Sequence, residues 1–173
     1  MWLKLLLLIT CSSVAHANMT LAQQVLEQPQ IVGQARLKVL LFKVYDATLY
    51  APQGRYSPDD QFALTLRYLR AFDGDKIAQR SVEEMRKQGY TNERKLAQWL
   101  RQMTALFPNV QAGTELTAVK TSPGDAVFYR GLERIGQIKD AEFSQQFVNI
   151  WLGAKTSEPE MRKELLQQTK QTR

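Results

Sequence analysis

Cysteine and histidine are nearly missing from this chain of 173 residues, which contains one of each, Cys11 and His16. Both lie in a leading segment that we expect to be removed, so the mature protein has neither. Their loss excludes a disulfide within the monomer, Ser-His and Cys-His nucleophile pairs, and zinc held by Cys or His. The sequence also shows no glycine-rich phosphate loop and no metal constellation, so we expect no cofactor and no metal. Its chemistry must use Arg, Lys, Tyr, Asp, Glu or hydroxyl groups.

The first 17 residues have the features of a secretory signal peptide. A short positive start precedes an apolar run at residues 5–9, which is too short to cross a bilayer, and Ala15 and Ala17 supply the small residues that a signal peptidase needs. We therefore expect a cleaved signal peptide at residues 1–17, a single domain at residues 18–173, and a periplasmic location. A lipoprotein signal ending at Cys11 is disfavoured, because Thr10 is bulkier than the Gly, Ala or Ser expected before a lipidated cysteine.

Runs of basic residues are absent as well. Without residues 1–17 the chain keeps 22 basic and 17 acidic groups, scattered through every segment. Aromatic residues do not interleave with them as they do on a nucleic-acid platform, so the excess charge is interpreted as solvated surface and no nucleic-acid partner is expected. We also expect no stable membrane insertion, and the sequence leaves the oligomeric state open.

What is present is a succession of strand and helix patterns. Six segments have the period-two alternation of strands, at residues 35–42, 43–50, 62–69, 114–121, 126–130 and 134–138. A possible amphipathic start at residues 21–26 precedes them, and four segments have helical patterns. These are residues 74–88 with Asp73 as N-cap, a helix begun by Thr91 or Asn92, one begun by Asp140, and one begun by a capping box at residues 157–160. The order of strands, two helices, strands and two helices predicts a single α+β domain, in which Trp99, Phe143, Phe147 and Trp151 are core residues.

The local amino-acid sequence resembles that of the chalcone isomerase superfamily, and more closely that of its bacterial exported branch. Four segments between about residues 31 and 166 support the likeness by their order and spacing: the strand at 43–50, the helix end and turn at 85–91, Phe107-Pro108, and the strand at 135–138 that leads to Asp140. The resemblance implies an open-faced β-sandwich, an antiparallel sheet with helices packed on one face and a ligand cleft between them. In plant members that cleft closes a chalcone to a flavanone.

The resemblance also implies a set of site residues. The first-strand arginine of the family falls on or near Arg36 and the cleft lysine falls on Lys76, which makes these two the expected catalytic residues. The active-site threonine lands on Tyr45, the helix-entry tyrosine near Phe72 or Asp73, the asparagine on Arg80 and the late threonine near Glu133. Most of the polar active-site residues of the family are therefore replaced. This weakens the expectation of chalcone closure more than the expectation of the fold.

A cleft with Arg36, Lys76, Arg80, Tyr45 and Tyr68 would favour a small amphipathic or aromatic anion. Three functions follow. The protein is an intramolecular lyase or isomerase, a non-catalytic binding protein of the fatty-acid-binding kind, or an envelope scaffold. Each site residue also has a structural alternative: Arg36 on the exposed side of an edge strand, the tyrosines in packing, and Lys76 and Arg80 in a solvated ion-pair ladder with Asp73.

Overall fold

A computed structural model of the chain describes residues 20–168, so the expected signal peptide at 1–17 lies outside the described residues. Six strands form one sheet in chain order, and each neighbouring pair is antiparallel. The strands are β1 (Pro29–Val39), β2 (Phe42–Pro52), β3 (Phe62–Tyr68), β4 (Glu115–Lys120), β5 (Ala126–Arg130) and β6 (Glu133–Ile138). The predicted α+β class and the open antiparallel sheet are confirmed.

Five helices accompany the sheet. They are α1 (Leu21–Val25), α2 (Gly74–Lys87), α3 (Glu93–Leu106), α4 (Ala141–Leu152) and α5 (Pro159–Leu165). The last four cover one face of the sheet and enclose the main core, as predicted. The short α1 belongs to the other face, where Leu26 packs against Ala63 and Val119.

Aromatic rings fill the centre of the main core. Trp99 and Phe143 are fully buried, and their ring centroids lie 5.6 Å apart in an edge-to-face arrangement. Phe147 stacks on Phe143 and contacts Phe128 of β5 at 5.3 Å. Such pairs add to the free energy that burial alone provides, so α3 and α4 are fixed to each other and to the sheet. The prediction of these helix residues as core is confirmed.

The helix caps show where local patterns succeed. The side chain of Asn92 accepts a hydrogen bond from the Lys95 backbone N–H, and Asp140 caps α4 in the predicted way. Asp73 is the N-cap residue of α2, as predicted, but its side chain makes no capping hydrogen bond. Asn109 Oδ1, from 35 residues later in the chain, accepts from the Gly74 backbone N–H at 2.9 Å.

Two further predictions are corrected. The expected capping box at residues 157–160 does not form, because the Ser157 hydroxyl donates to the Glu84 carboxylate across the domain and the N-cap Glu158 makes no side-chain bond. The first hairpin turns at Leu40 and Leu41 rather than after residue 42, and β1 begins at Pro29. Leucine is not a typical turn residue, so the pattern hid this turn.

The packing of two helices leaves part of the inner sheet face open. The end of α5 lies directly over Gly33 of β1, where a Cβ atom would be 2.3 Å from the Leu165 carbonyl oxygen. Helix α2 packs mainly against α3 and α4 rather than on the strands. Between the region under α5 and the raised α2, a cavity remains over the inner face at Leu37, Tyr45 and Tyr68.

We predict that Gly33→Ala destabilises the protein by about 1–3 kcal/mol, because the added methyl group meets backbone atoms that move only with α5. Urea unfolding of both proteins measures the difference. Gln34→Ala, at an exposed position of the same strand, is the control and should change the free energy of unfolding by less than about 0.5 kcal/mol. Equal midpoints for the Gly33 variant and the wild type would contradict the close contact with α5.

Candidate functional site

A cavity of about 550 Å³ lies between α2 and the inner face of the sheet. Its size falls within the range of about 300–1,000 Å³ that is usual for small-molecule sites. Most of its wall is apolar, and the strands, α2 and α4 contribute to it. The larger apolar side chains include Leu37, Leu64, Leu66, Phe72, Ile77, Leu116, Phe128, Phe147, Ile150 and Trp151. A few polar groups stand in this apolar wall, and their positions define what the cavity can bind.

Arg36 is not among them. It lies on the opposite face of the sheet, where its Nε and Nη2 donate to the two carboxylate oxygens of Asp46 at 2.5 and 2.8 Å. The hydrogen bond from Arg36 holds the pKa of Asp46 below its usual range. Because Arg36 and Asp46 face each other across β1 and β2, the alternation of the strands directs both away from Tyr45. The predicted place of Arg36 in the cleft is wrong, and its exposed-strand alternative is what the structure shows.

Tyr45 and Tyr68 do lie together in the cavity wall. They are cross-strand neighbours on β2 and β3, and their ring centroids are 5.8 Å apart. The Tyr45 oxygen accepts a hydrogen bond from Trp151 Nε1 at 2.8 Å. Burial raises the pKa of both phenols, so both stay protonated at neutral pH. The cavity therefore contains two O–H groups on adjacent strands.

The hydroxyl groups of the two tyrosines differ in their hydrogen bonding. Tyr68 is only 4% exposed, yet within residues 20–168 its hydroxyl has no hydrogen-bond partner, and beside burial only Tyr45 contributes to its raised pKa. Buried hydroxyl groups are normally paired with protein or water. The oxygen of this hydroxyl is not fully enclosed, so water or a ligand in the cavity can be its partner.

Lys76 and Arg80 line the cavity from successive turns of α2, as expected, but their surroundings differ. The Arg80 guanidinium is bound to Glu84 at 2.6 Å, so its charge is already neutralised. Among the described residues Lys76 has no carboxylate partner, and its Nζ only approaches the Gln79 side chain at 3.4 Å. The expected ion pair between Lys76 and Asp73 does not form.

Glu84 is the buried charge of the site, with a residue exposure of 4%. Burial acts to raise its pKa, but hydrogen bonds from Ser157 and Lys87 and the charge of Arg80 outweigh it, and the pKa lies below the usual value. The ionised carboxylate links α2 to the segment that enters α5. Arg80 and Lys87 offset its charge, so Glu158 is the carboxylate near Tyr45 that has no salt bridge in the described residues.

Arg70 is a cavity residue that sequence reasoning missed. Its guanidinium carbon lies 4.4 Å from the centre of the Phe42 ring, and both residues line the cavity. The residue follows the end of β3, where strand alternation no longer predicts a direction. Lys76 and Arg70 thus provide positive charge that no carboxylate neutralises within the part of the chain that the structure describes.

The described residues contain neither a metal-binding cluster nor a membrane-spanning helix. Within 20–168, His, Cys, Asp and Glu side chains form no group of three that could hold a metal ion. No helix in this part of the chain is both long and apolar enough to span a bilayer.

Comparison with known proteins agrees with this architecture. A family profile described as chalcone isomerase-like matches residues 16–167. An uncharacterized protein of Haemophilus influenzae is 25% identical over 142 residues, which is 82% of this chain and 69% of that protein. The crystal structure of a fatty-acid binding protein of Arabidopsis thaliana superposes with a TM-score of 0.63 at 12% identity, covering 82% of this chain and 88% of that one. At that identity the likeness shows the fold.

We predict that Glu84→Gln lowers the free energy of unfolding at pH 7 by about 1.5–3 kcal/mol, because it weakens charge-assisted bonds to Ser157, Lys87 and Arg80. The folded pKa is depressed, so the contribution is complete above the ordinary carboxyl value of about 4.3 and disappears as the pH falls through the lowered value. Urea unfolding at several pH values should show the two proteins converging at acidic pH.

Glu83→Gln is the matched control, since Glu83 is 55% exposed and reaches Arg80 only at 3.7 Å. Its cost should stay below about 1 kcal/mol at every pH. Equal losses in the two variants, or a difference that persists at pH 2–3, would contradict the role given to Glu84.

Proposed function

The chain belongs to the chalcone isomerase-like family, and from that premise we propose that it is a non-catalytic binding protein for a fatty acid or a similar amphipathic carboxylate. The apolar body of the ligand occupies the cavity under α2. Its carboxylate lies at the end lined by Lys76 and Arg70, within reach of the Tyr68 hydroxyl.

The Tyr68 hydroxyl is the observation on which this proposal rests. It is a protonated donor in an apolar wall and has no partner among the described residues. A donor in such a place is most strongly satisfied by a charged acceptor, since hydrogen bonds to ions are roughly twice as strong as neutral ones. A carboxylate is the acceptor of that kind that comes with an apolar chain.

The charges of the cavity assign an orientation to the ligand. At the Tyr45 end the carboxylate of Glu84 is offset by Arg80 and Lys87, and Glu158 adds a negative charge that disfavours an anion. Lys76 and Arg70 attract an anion to their end and have no carboxylate partner among residues 20–168. The apolar wall between them suits the chain.

Binding is favoured over isomerisation by the position of Arg36. Closure of a chalcone moves negative charge from a phenolate to an enolate, which calls for a fixed cation in a largely apolar pocket. Arg36 was expected to supply it, but it is paired with Asp46 on the other face. In the described residues no salt bridge fixes two cations that do line the cavity, Lys76 and Arg70. We therefore expect no turnover in a chalcone ring-closure assay. The fatty-acid binding protein of Arabidopsis thaliana, which has the same fold, supports the binding alternative.

We predict that Tyr68→Phe weakens palmitate binding by about 10- to 100-fold, because the variant loses one hydrogen bond to a charged group. Displacement of a fluorescent fatty-acid analogue by palmitate measures the affinity. Lys76→Gln should weaken binding too, and more strongly at low salt, since an exposed charge is screened.

Tyr50→Phe and Arg36→Gln are the controls, because both residues lie on the opposite face of the sheet. Both should bind palmitate like the wild type. The proposal is refuted if the wild type does not bind palmitate, or if the Tyr68 and Tyr50 variants bind it equally well.

We also propose that the protein acts after export, in the periplasm. The support is the signal-peptide pattern of residues 1–17. The full gene product, expressed in a bacterium with two membranes, should appear in the periplasmic fraction. Its mass should be that of a chain whose first residue is Asn18. Full-length protein in the cytoplasmic fraction would argue against export.

A further inference from the structure

The apolar residues that the fold leaves in solvent gather at one end of the sheet. Six large apolar side chains are exposed within residues 20–168, and five of them lie at the end where β1 turns into β2 and β5 turns into β6. The exposures reach 89% for Leu40 and 96% for Leu41. The five are Val39, Leu40, Leu41, Phe42 and Leu132. The strand register places both turns at the same end, because Tyr45 pairs with Tyr68, Arg67 with Glu115 and Leu116 with Arg130.

The conformation of the first turn does not explain its sequence. Leu40 has a φ of +56°, in the left-handed region where Gly, Asn or Asp is favoured in a two-residue hairpin turn. A nearly fully exposed leucine at this position contributes neither turn stability nor core packing. Local choices that oppose folding are characteristic of functional positions. The side chains of Leu40 and Leu41 therefore suit a contact outside the folded chain, and we call residues 39–42 the hairpin tip.

The charges beside the hairpin tip point to the nature of that contact. Lys38 and Lys43 face each other directly across β1 and β2, an arrangement of like charges that weakens a hairpin. In the described part of the chain neither lysine forms a salt bridge, and Arg70 lies over Phe42. Three acidic residues at this end lie beside bases: Asp46 is bound to Arg36, and Glu115 and Glu133 stand opposite Arg67 and Arg130.

The hairpin tip presents apolar side chains, and the basic residues Lys38, Lys43 and Arg70 form a collar behind them. This arrangement matches the layered chemistry of a membrane surface. Apolar groups enter the boundary between headgroups and acyl chains, and cations meet anionic headgroups. A protein partner complementary to this tip would need an apolar socket with an acidic rim, which nothing in the structure suggests. We propose that the hairpin tip docks the protein on a bilayer that contains anionic phospholipid.

The cavity lies next to the hairpin tip, which connects docking with ligand binding. Val39, Phe42 and Arg70 line the cavity as well as the hairpin tip and its collar, so the cavity reaches the surface beside the docked residues. An amphipathic ligand passes between the bilayer and the cavity without its chain crossing water. The docking rests on the tip alone, whereas the identity of the transferred molecule rests on the proposed function.

Co-sedimentation with vesicles of phosphatidylethanolamine and phosphatidylglycerol tests the proposal. The wild type should bind, and Leu40→Asn/Leu41→Ser should bind at least about tenfold more weakly, because each leucine lost removes apolar area from the interface. Asparagine suits the positive φ of residue 40, so this variant should fold. Lys38→Gln/Lys43→Gln should lose about fivefold per lysine on these vesicles and little on phosphatidylcholine.

Ile31→Ser is the matched control, because Ile31 is 50% exposed at the opposite end of the sheet. It should bind vesicles like the wild type. Palmitate affinity in solution, measured without vesicles, should be unchanged in the double leucine variant and in the double lysine variant. This separates a failure of docking from a failure of ligand binding. A wild type that does not sediment with vesicles overturns the proposal, as does a leucine variant that sediments equally well. A wild-type dimer that the leucine variant converts to monomer overturns it too, because the tip would then belong to a contact between two copies.

Discussion

The position of helix α2 is the constraint on which the rest of the site depends. Its first residue, Gly74, lies so close to the Phe107 carbonyl that a Cβ atom would not fit, and the backbone N–H of Gly74 is bonded to Asn109. Near its other end, Glu84 is bonded to Ser157. Both attachments join α2 to the chain around it rather than to the strands beneath. The helix is therefore held at a distance from the sheet, and the space below it persists as a cavity.

That geometry decides how the polar groups of the site behave. Tyr45 and Tyr68 would be packed by side chains if α2 lay on the sheet, but here their hydroxyl groups line an apolar space and stay protonated. The charged groups lie around that space in an unequal way, with Glu84 and Glu158 near Tyr45 and with Lys76 and Arg70 without carboxylate partners in the described residues. A low dielectric strengthens hydrogen bonds to charge, so one well-placed donor has a large effect.

The sequence predicted the elements and the core well and the site only in part. Period-two alternation placed Tyr45 and Tyr68 with the buried residues of their strands, and helical spacing identified Trp99 and Phe143, because both signals depend only on local geometry. The same alternation separates Arg36 from Leu37, yet the resemblance to the family favoured Arg36 as a cleft residue. Its true partner, Asp46, follows from the strand register, and the register depends on a turn at Leu40 and Leu41 that no turn residue marked. Arg70 lies beyond a strand end, where no period applies.

The central claim is that a carboxylate is held beside Tyr68 while its chain lies under α2. The most direct measurement is carbon-13 NMR of palmitate labelled at every carbon and bound to the wild-type protein. The account predicts one bound carboxyl resonance, with cross-peaks from the chain to the Tyr68 ring and an apparent carboxyl pKa below that of the free acid, because a donor and two cations stabilise the anion. A carboxyl carbon that titrates as in free palmitate, or a chain without contact to Tyr68, would contradict it.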